Sequence, residues 1–353
     1  MKRLFKRIAA VATCVTAMMG AASTYIFFKA FGRETPADRD KKEKKIPESS
    51  KKYQPAIKAR KAWLLKQPCE DIYIKSYDGL RLYGRLLPPE GESPSAAESR
   101  PVTESPAAAE SQPAGESPSE GEIRPTASKA PTIILGIHGY RSDGIGDFAV
   151  LAPFYHNQGD YLCLPDDRAH GKSDGSYIGF GYHDHFDCIA WCKYLVKRFG
   201  ENCNIYLHGI SMGSATVLSC CDDPQLPPQV RGIIADCGYS SGWEQIGHVL
   251  STTCHMPSFP MLYMYNAICR IVGGFNLKDI RPIDCVAHSR VPVLFIHGDA
   301  DNYVPTTMVY KLYNACKAKK ELLVVHGAGH AMSYMTDSKA YEKSVTGFIA
   351  KTE

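Results

Sequence analysis

Three things are missing from this 353-residue sequence: a Cys-x-x-Cys pair among its thirteen cysteines, a basic patch interleaved with aromatics, and any charge between Ile8 and Phe28. The first absence leaves the cysteines without a paired motif. They are odd in number and scattered over apparent strands and helices (Cys163, Cys220, Cys221, Cys237), so they read as buried free thiols rather than a disulfide framework. His183, His185, Cys188 and Cys192 are close in sequence, but Asp187 opens an amphipathic helix with Ile189, Trp191 and Leu195 on its apolar face, so no metal is expected there. The second absence, together with the lack of any nucleic-acid motif, excludes nucleic acid as a partner. The net charge of +4 fits this, because much of the excess sits in the first 61 residues, in runs such as Lys41-Lys42-Glu43-Lys44-Lys45.

The third absence reads as a membrane anchor. Lys2, Arg3, Lys6 and Arg7 precede 21 uncharged residues, and at about 1.5 Å each they reach roughly 30 Å, the thickness of a bilayer core. Residues 1–30 are therefore expected to be an anchor that meets the lipid bilayer through residues 8–28, giving a single-pass membrane location. The bulky end of the run, Tyr25-Ile26-Phe27-Phe28, disfavours the alternative, a cleaved signal peptide. Lys29, Arg33, Arg39, Lys41 and Lys42 follow the run, so positive charges flank both ends and fix no orientation. Residues 31–66 read as a basic juxtamembrane linker.

Apolar residues are scarce again from 89 to 130. A Glu-Ser pair recurs there at Glu92, Glu98, Glu104, Glu110 and Glu116, among prolines and alanines. With nothing to bury, such a segment cannot offset its ordering entropy, and it is expected to be a disordered insertion. The absence of a recurring aliphatic residue excludes a β-helix.

What is present is a single α/β domain over 67–353, in a chain that is 44% hydrophobic. Strands are expected at Asp71–Lys75, Leu80–Leu87, Thr132–Ile137, Tyr161–Leu164, Asn204–His208, Gly232–Asp236, Val291–His297 and Glu321–Val325. Helices are expected near Phe186–Phe199, Met212–Cys221, Thr306–Ala318 and Lys339–Lys351. Short Ile/Val/Leu runs separated by helices predict a mostly parallel sheet covered on both faces. The first two strands, joined at Asp78-Gly79, predict an antiparallel hairpin. Residues 239–287, rich in Met, Tyr and Pro, break the alternation and read as a small helical lid.

The segment Gly209-Ile210-Ser211-Met212-Gly213 lies between an apolar strand and a small-residue helix, the context of a nucleophile elbow. Ser211 is the candidate nucleophile. A serine hydroxyl needs a base, and His330, on a glycine-rich loop after the last strand, is the candidate, with His326 second. The third group, which fixes the imidazole tautomer, is Asp301, with Asp299 in reserve and Asp236 a further alternative. The backbone N–H groups of Tyr140 and Met212 are the candidate oxyanion hole. His138 reads as structural, with its ring bonded to nearby backbone. Every candidate catalytic element lies beyond Cys69, so a chain starting near Lys51 is expected to be soluble and active.

Six segments carry a resemblance: Ser76-Tyr77-Asp78-Gly79-Leu80, Ile137-His138-Gly139-Tyr140, Asp167-Arg168-Ala169-His170-Gly171-Lys172-Ser173, Gly209-Ile210-Ser211-Met212-Gly213, Ile296-His297-Gly298-Asp299-Ala300-Asp301 and Gly327-Ala328-Gly329-His330. In this order they resemble the α/β-hydrolase superfamily, in its bacterial branch of esterases and serine-aminopeptidase-like proteins. The resemblance implies an α/β-hydrolase fold with an eight-stranded sheet whose second strand is antiparallel. It also implies hydrolysis of a small-molecule ester, thioester or amide with no metal and no cofactor, and a structural use of Asp167 and Arg168. The Met-rich, aromatic lid favours an apolar acyl or aryl group. The absence of a carboxylate from Met256 to Gly273 favours neutral esters over the ammonium-bearing substrates of an aminopeptidase. A serine peptidase and a non-catalytic binding protein of the same fold are the alternatives.

Overall fold

The computed structural model describes residues 20–21, 23–35, 48–92 and 130–353. Most of the expected insertion and the first part of the expected anchor lie outside these residues.

Eight strands form one sheet in the order β1-β2-β4-β3-β5-β6-β7-β8. They are β1 (Glu70–Lys75), β2 (Arg81–Leu87), β3 (Thr132–Ile137), β4 (Tyr161–Pro165), β5 (Asn204–Ile210), β6 (Val230–Asp236), β7 (Val293–Gly298) and β8 (Lys320–Val325). β2 runs antiparallel to both β1 and β4, and the other pairings are parallel. The Ile/Val/Leu runs form strands because both sheet faces are covered. Ile133, Leu135 and Ile137 enter the core on one face, with Trp191 and Leu195 of the helix Asp184–Phe199. Ile134 faces the other way, onto Tyr341 and Phe348 of the helix Ser338–Thr352. This alternation is the two-residue period of a strand read against helices on both sides.

Six parallel strands, β3 to β8, end at one edge, and the loops leaving that edge carry the chemistry. Between β6 and β7 lie three helices: α1 (Gly242–Thr252), α2 (Ser258–Ile268) and α3 (Pro282–Val286). α1 and α2 form an apolar cluster over this edge with Phe180, Tyr239, Phe275 and Met212, while α3 packs through Val286 into the core shared with Trp191 and Leu195.

Two parts of the chain before β1 differ from expectation. Gln54–Leu64, inside the expected linker, is a helix docked on the domain: Leu64 is buried, and Arg60 donates to the Val150 carbonyl at 2.6 Å. Residues 23–31, overlapping the expected bilayer span 8–28, are helical, with Ser23, Phe27 and Phe31 buried at four-residue intervals and Thr24, Tyr25 and Phe28 exposed. One-sided burial is the mark of a helix lying on protein. Among the described residues no helix is long and apolar enough to cross a membrane. The remainder of the expected span, residues 8–19 and 22, lies outside the described residues.

Candidate active site

Ser211 stands at the turn from β5 into the helix Met212–Ser219, with φ 57° and ψ −114°. A non-glycine residue in this region is strained and must be held by its surroundings. The glycines on either side make the turn possible. A Cβ on Gly209 would sit 2.2 Å from the Gly213 carbonyl oxygen, and one on Gly213 would sit 2.0 Å from that of Ile137. The Ser211 N–H is tied to the Asp236 carbonyl at 2.9 Å. The sharp turn lifts the serine hydroxyl off the sheet.

Three of the expected residues meet there. Ser211 Oγ lies 2.8 Å from His330 Nε2, and His330 Nδ1 lies 2.7 Å from Asp301 Oδ2. A carboxylate accepts, so the network assigns the ring proton to Nδ1 and leaves Nε2 free to accept from the serine. Asp301 is itself held tightly: Oδ1 accepts from the backbone N–H groups of Tyr303 and Val304, each at 2.9 Å, and Oδ2 lies 3.3 Å from His297 Nε2. Burial opposes its charge, but the hydrogen bonds from His297 and His330 outweigh it and hold the carboxyl well below the usual carboxylate range.

The reserve candidates fall elsewhere. Asp299 accepts from His326 Nδ1 and the Gly327 N–H, each at 2.7 Å, and this pair is solvent-facing. Asp236 is buried and accepts from Ser333 Oγ and Tyr341 Oη, and burial raises its pKa to about 6. His138 is fully buried, with Nδ1 2.7 Å from the Gly139 carbonyl and Nε2 accepting from the Asp167 N–H at 2.9 Å. Arg168 forks onto Asp187 and also reaches Asp78, bracing its loop. His183 makes hydrogen bonds with Tyr77 Oη and the Gly273 carbonyl.

Tyr140 and Met212 flank the serine. Met212 is the first residue of its helix, where N–H groups have no intrahelical acceptor. Tyr140 lies on the loop after β3, and Asp147 pins that loop by accepting from the Gly139 N–H at 2.7 Å and from Ser142 Oγ at 2.6 Å. A cavity of about 620 Å³ opens over Ser211 and His330, walled by Tyr140, Ile210, Tyr303, Ala331 and Met332. Its lining comes from the loops after β3, β5, β7 and β8, and from Ser50. Among the described residues none of the expected lid, 239–287, lines this cavity; its helices α1 and α2 share an apolar cluster with Phe27 and Phe31.

Two contributors were absent from the sequence reading. His297 ends the apolar run Val293-Leu294-Phe295-Ile296, and a polar side chain in a buried strand needs a partner. Its Nε2 lies 2.9 Å from the Val304 carbonyl oxygen and 3.3 Å from Asp301 Oδ2, four residues on. Asp147 had no comparable signal.

Comparisons with known proteins agree with this architecture. The prolyl oligopeptidase family matches residues 179–352. The uncharacterized protein YqkD of Bacillus subtilis (strain 168) is 27% identical over 224 residues, which cover 62% of this chain and 71% of that protein. Among solved structures, the Pyrococcus furiosus esterase Pf2001 is similar with a TM-score of 0.58 at 17% identity, covering 82% of this chain and 93% of the esterase. Porphyromonas gingivalis dipeptidyl peptidase 4 is similar with a TM-score of 0.54 at 15% identity, covering 80% of this chain and 35% of the peptidase. The chain has the α/β-hydrolase fold. Within that fold, the serine–histidine–aspartate arrangement is the one used by serine hydrolases.

Proposed function

We propose that this protein hydrolyses carboxylic esters or thioesters through an acyl-enzyme on Ser211. The observation that carries the proposal is the unbroken relay from Ser211 Oγ through His330 to Asp301, at 2.8 and 2.7 Å, opening on a cavity with mostly apolar walls. Ser211 attacks the carbonyl carbon while His330 Nε2 takes its proton. The Tyr140 and Met212 N–H groups stabilise the oxyanion. The tetrahedral intermediate collapses, His330 returns the proton to the departing alcohol or thiol, and the acyl group stays on Ser211. Water, deprotonated by His330, then releases the acid and restores the serine.

The second reading is a serine peptidase, supported by the prolyl oligopeptidase family match. Against an aminopeptidase, the carboxylate lining the cavity among the described residues, Asp147, has both oxygens engaged by Gly139 and Ser142. That leaves it poorly placed to grip a substrate ammonium. A screen of p-nitrophenyl esters of graded chain length beside aminoacyl-anilides separates the two readings. Turnover of the esters with inert anilides supports the proposal, and faster anilide cleavage sinks it.

Membrane attachment is the part of the proposal that rests on sequence alone, on four cations followed by an uncharged run. Before Ser23 that run holds about 15 residues, which reach roughly 22 Å, short of a bilayer core of about 30 Å. A full span would require undocking Phe27 and Phe31. Carbonate extraction of membranes tests the attachment: release into the supernatant contradicts it.

A further inference from the structure

We infer that residues 27–33 are a strap that positions the oxyanion loop, and that they belong to the catalytic machinery rather than to a dispensable leader. The inference rests on the serine-hydrolase reading above. Three sets of contacts hold the segment on the domain. Phe27 and Phe31 are 0% and 1% exposed, and burial of two aromatic rings stabilises the docked segment. The Phe31 ring lies 5.4 Å from those of Tyr265 and Phe275 and 5.5 Å from that of Phe180. The backbone then adds to the loop after β4: the Ile178 N–H donates to the Phe31 carbonyl at 2.7 Å, and the Arg33 N–H donates to that of Ser176 at 3.0 Å. Finally, the Arg33 guanidinium closes the strap, donating to the carbonyls of Ser173 at 2.5 Å and Gly171 at 2.7 Å.

Between the two anchors the strap presents carbonyls to the oxyanion loop. Tyr140 Oη donates to the Ala30 carbonyl at 2.5 Å, and the Arg141 guanidinium donates to that of Lys29. Tyr140 is the residue whose backbone N–H is assigned to the oxyanion hole. Its side chain is thus fixed from above by the strap while Asp147 pins Gly139 from below. An oxyanion donor works through preorganisation, and a small displacement weakens it steeply. The cavity over Ser211 is open with the strap in place, so the segment acts as a support and not as a plug.

The test uses full-length Tyr140→Phe, Arg33→Ala and their double variant, with kcat and KM on a short p-nitrophenyl ester, Tm, and fluorophosphonate labelling of Ser211. Tyr140→Phe removes one hydroxyl, and Arg33 anchors the strap away from the reacting atoms, so folding is little affected. Each single change is expected to lower kcat about three- to tenfold, the worth of one net hydrogen bond, with KM nearly constant and Tm within a few degrees. The double variant is expected to fall no further than the worse single, because Arg33 reaches the oxyanion loop only by holding in place the strap whose carbonyl Tyr140 bonds. Unchanged kcat, a multiplicative double, or faster turnover in Arg33→Ala each overturns the strap. Faster turnover would make the segment an inhibitory plug. Failure of the wild type to label or to turn over any ester would instead overturn the underlying serine-hydrolase reading.

Discussion

The loops that leave β7 and β8 meet twice. His330 Nδ1 lies 2.7 Å from Asp301 Oδ2, and His326 Nδ1 lies 2.7 Å from Asp299 Oδ2. By bond length the two aspartate–histidine pairs are the same. They differ in their surroundings. The His326 side chain is 98% exposed and that of His330 24%, while the Asp301 side chain is fully buried. Asp301 also accepts from two backbone N–H groups and faces His297, and the far nitrogen of His330 meets Ser211. Both carboxyls are held below the usual range, Asp299 chiefly by the hydrogen bond from His326, Asp301 by those from His297 and His330 against a burial cost. A catalytic pair is therefore recognised by what fixes the carboxylate and what waits at the other ring nitrogen, and not by the contact between its two members.

The largest expected effect follows directly. Asp301→Asn should lower kcat by three to four decades, because an amide there no longer fixes the tautomer that leaves Nε2 able to accept from Ser211. Steady-state kinetics on a short ester checks this, and a loss below tenfold would erase the distinction between the pairs.

His297→Gln comes next. It removes one of the groups facing Asp301 Oδ2 without touching the reacting atoms. A fall of about three- to thirtyfold in kcat is expected, the range for one hydrogen bond to a charged group, with KM nearly constant. An unchanged kcat would mean that the backbone donors alone hold Asp301.

Asp299→Asn and His326→Ala sharpen the comparison from the other side. An exposed pair is screened by water, so kcat should stay within about twofold of the wild type. If either change were as damaging as Asp301→Asn, the assignment of the two pairs would have to be exchanged.

Much of this is legible in the sequence. The parallel strands β3 to β7 are hydrophobic runs buried on both faces, and glycines stand in or beside the turns that carry Tyr140, Ser211 and His330. The two His/Asp pairs were not separable on that basis, since both sit after buried strands on adjacent loops. Their order of preference rested on expected orientation at the strand end, and burial is what separates them. The docking of residues 23–31 on the domain is not evident from composition, for a different reason. An uncharged, aromatic run has the same composition whether it faces lipid or an aromatic lid. The distinguishing feature is periodic: Ser23, Phe27 and Phe31 point one way, with Thr24 and Tyr25 on the opposite side, whereas a bilayer span is apolar around its whole circumference. The lid's Met and aromatic content had been assigned to substrate, but part of its apolar face is satisfied by the chain's own phenylalanines.

The central claim is that Ser211 is the nucleophile that His330 activates. The most direct measurement is mass-spectrometric mapping of a fluorophosphonate adduct on the full-length protein, run beside Ser211→Ala with ester turnover followed in both. The account predicts one adduct, on Ser211, that disappears in Ser211→Ala together with three or more decades of kcat, while Tm is unchanged. An adduct on another residue, or near-normal ester hydrolysis by purified Ser211→Ala, would contradict it.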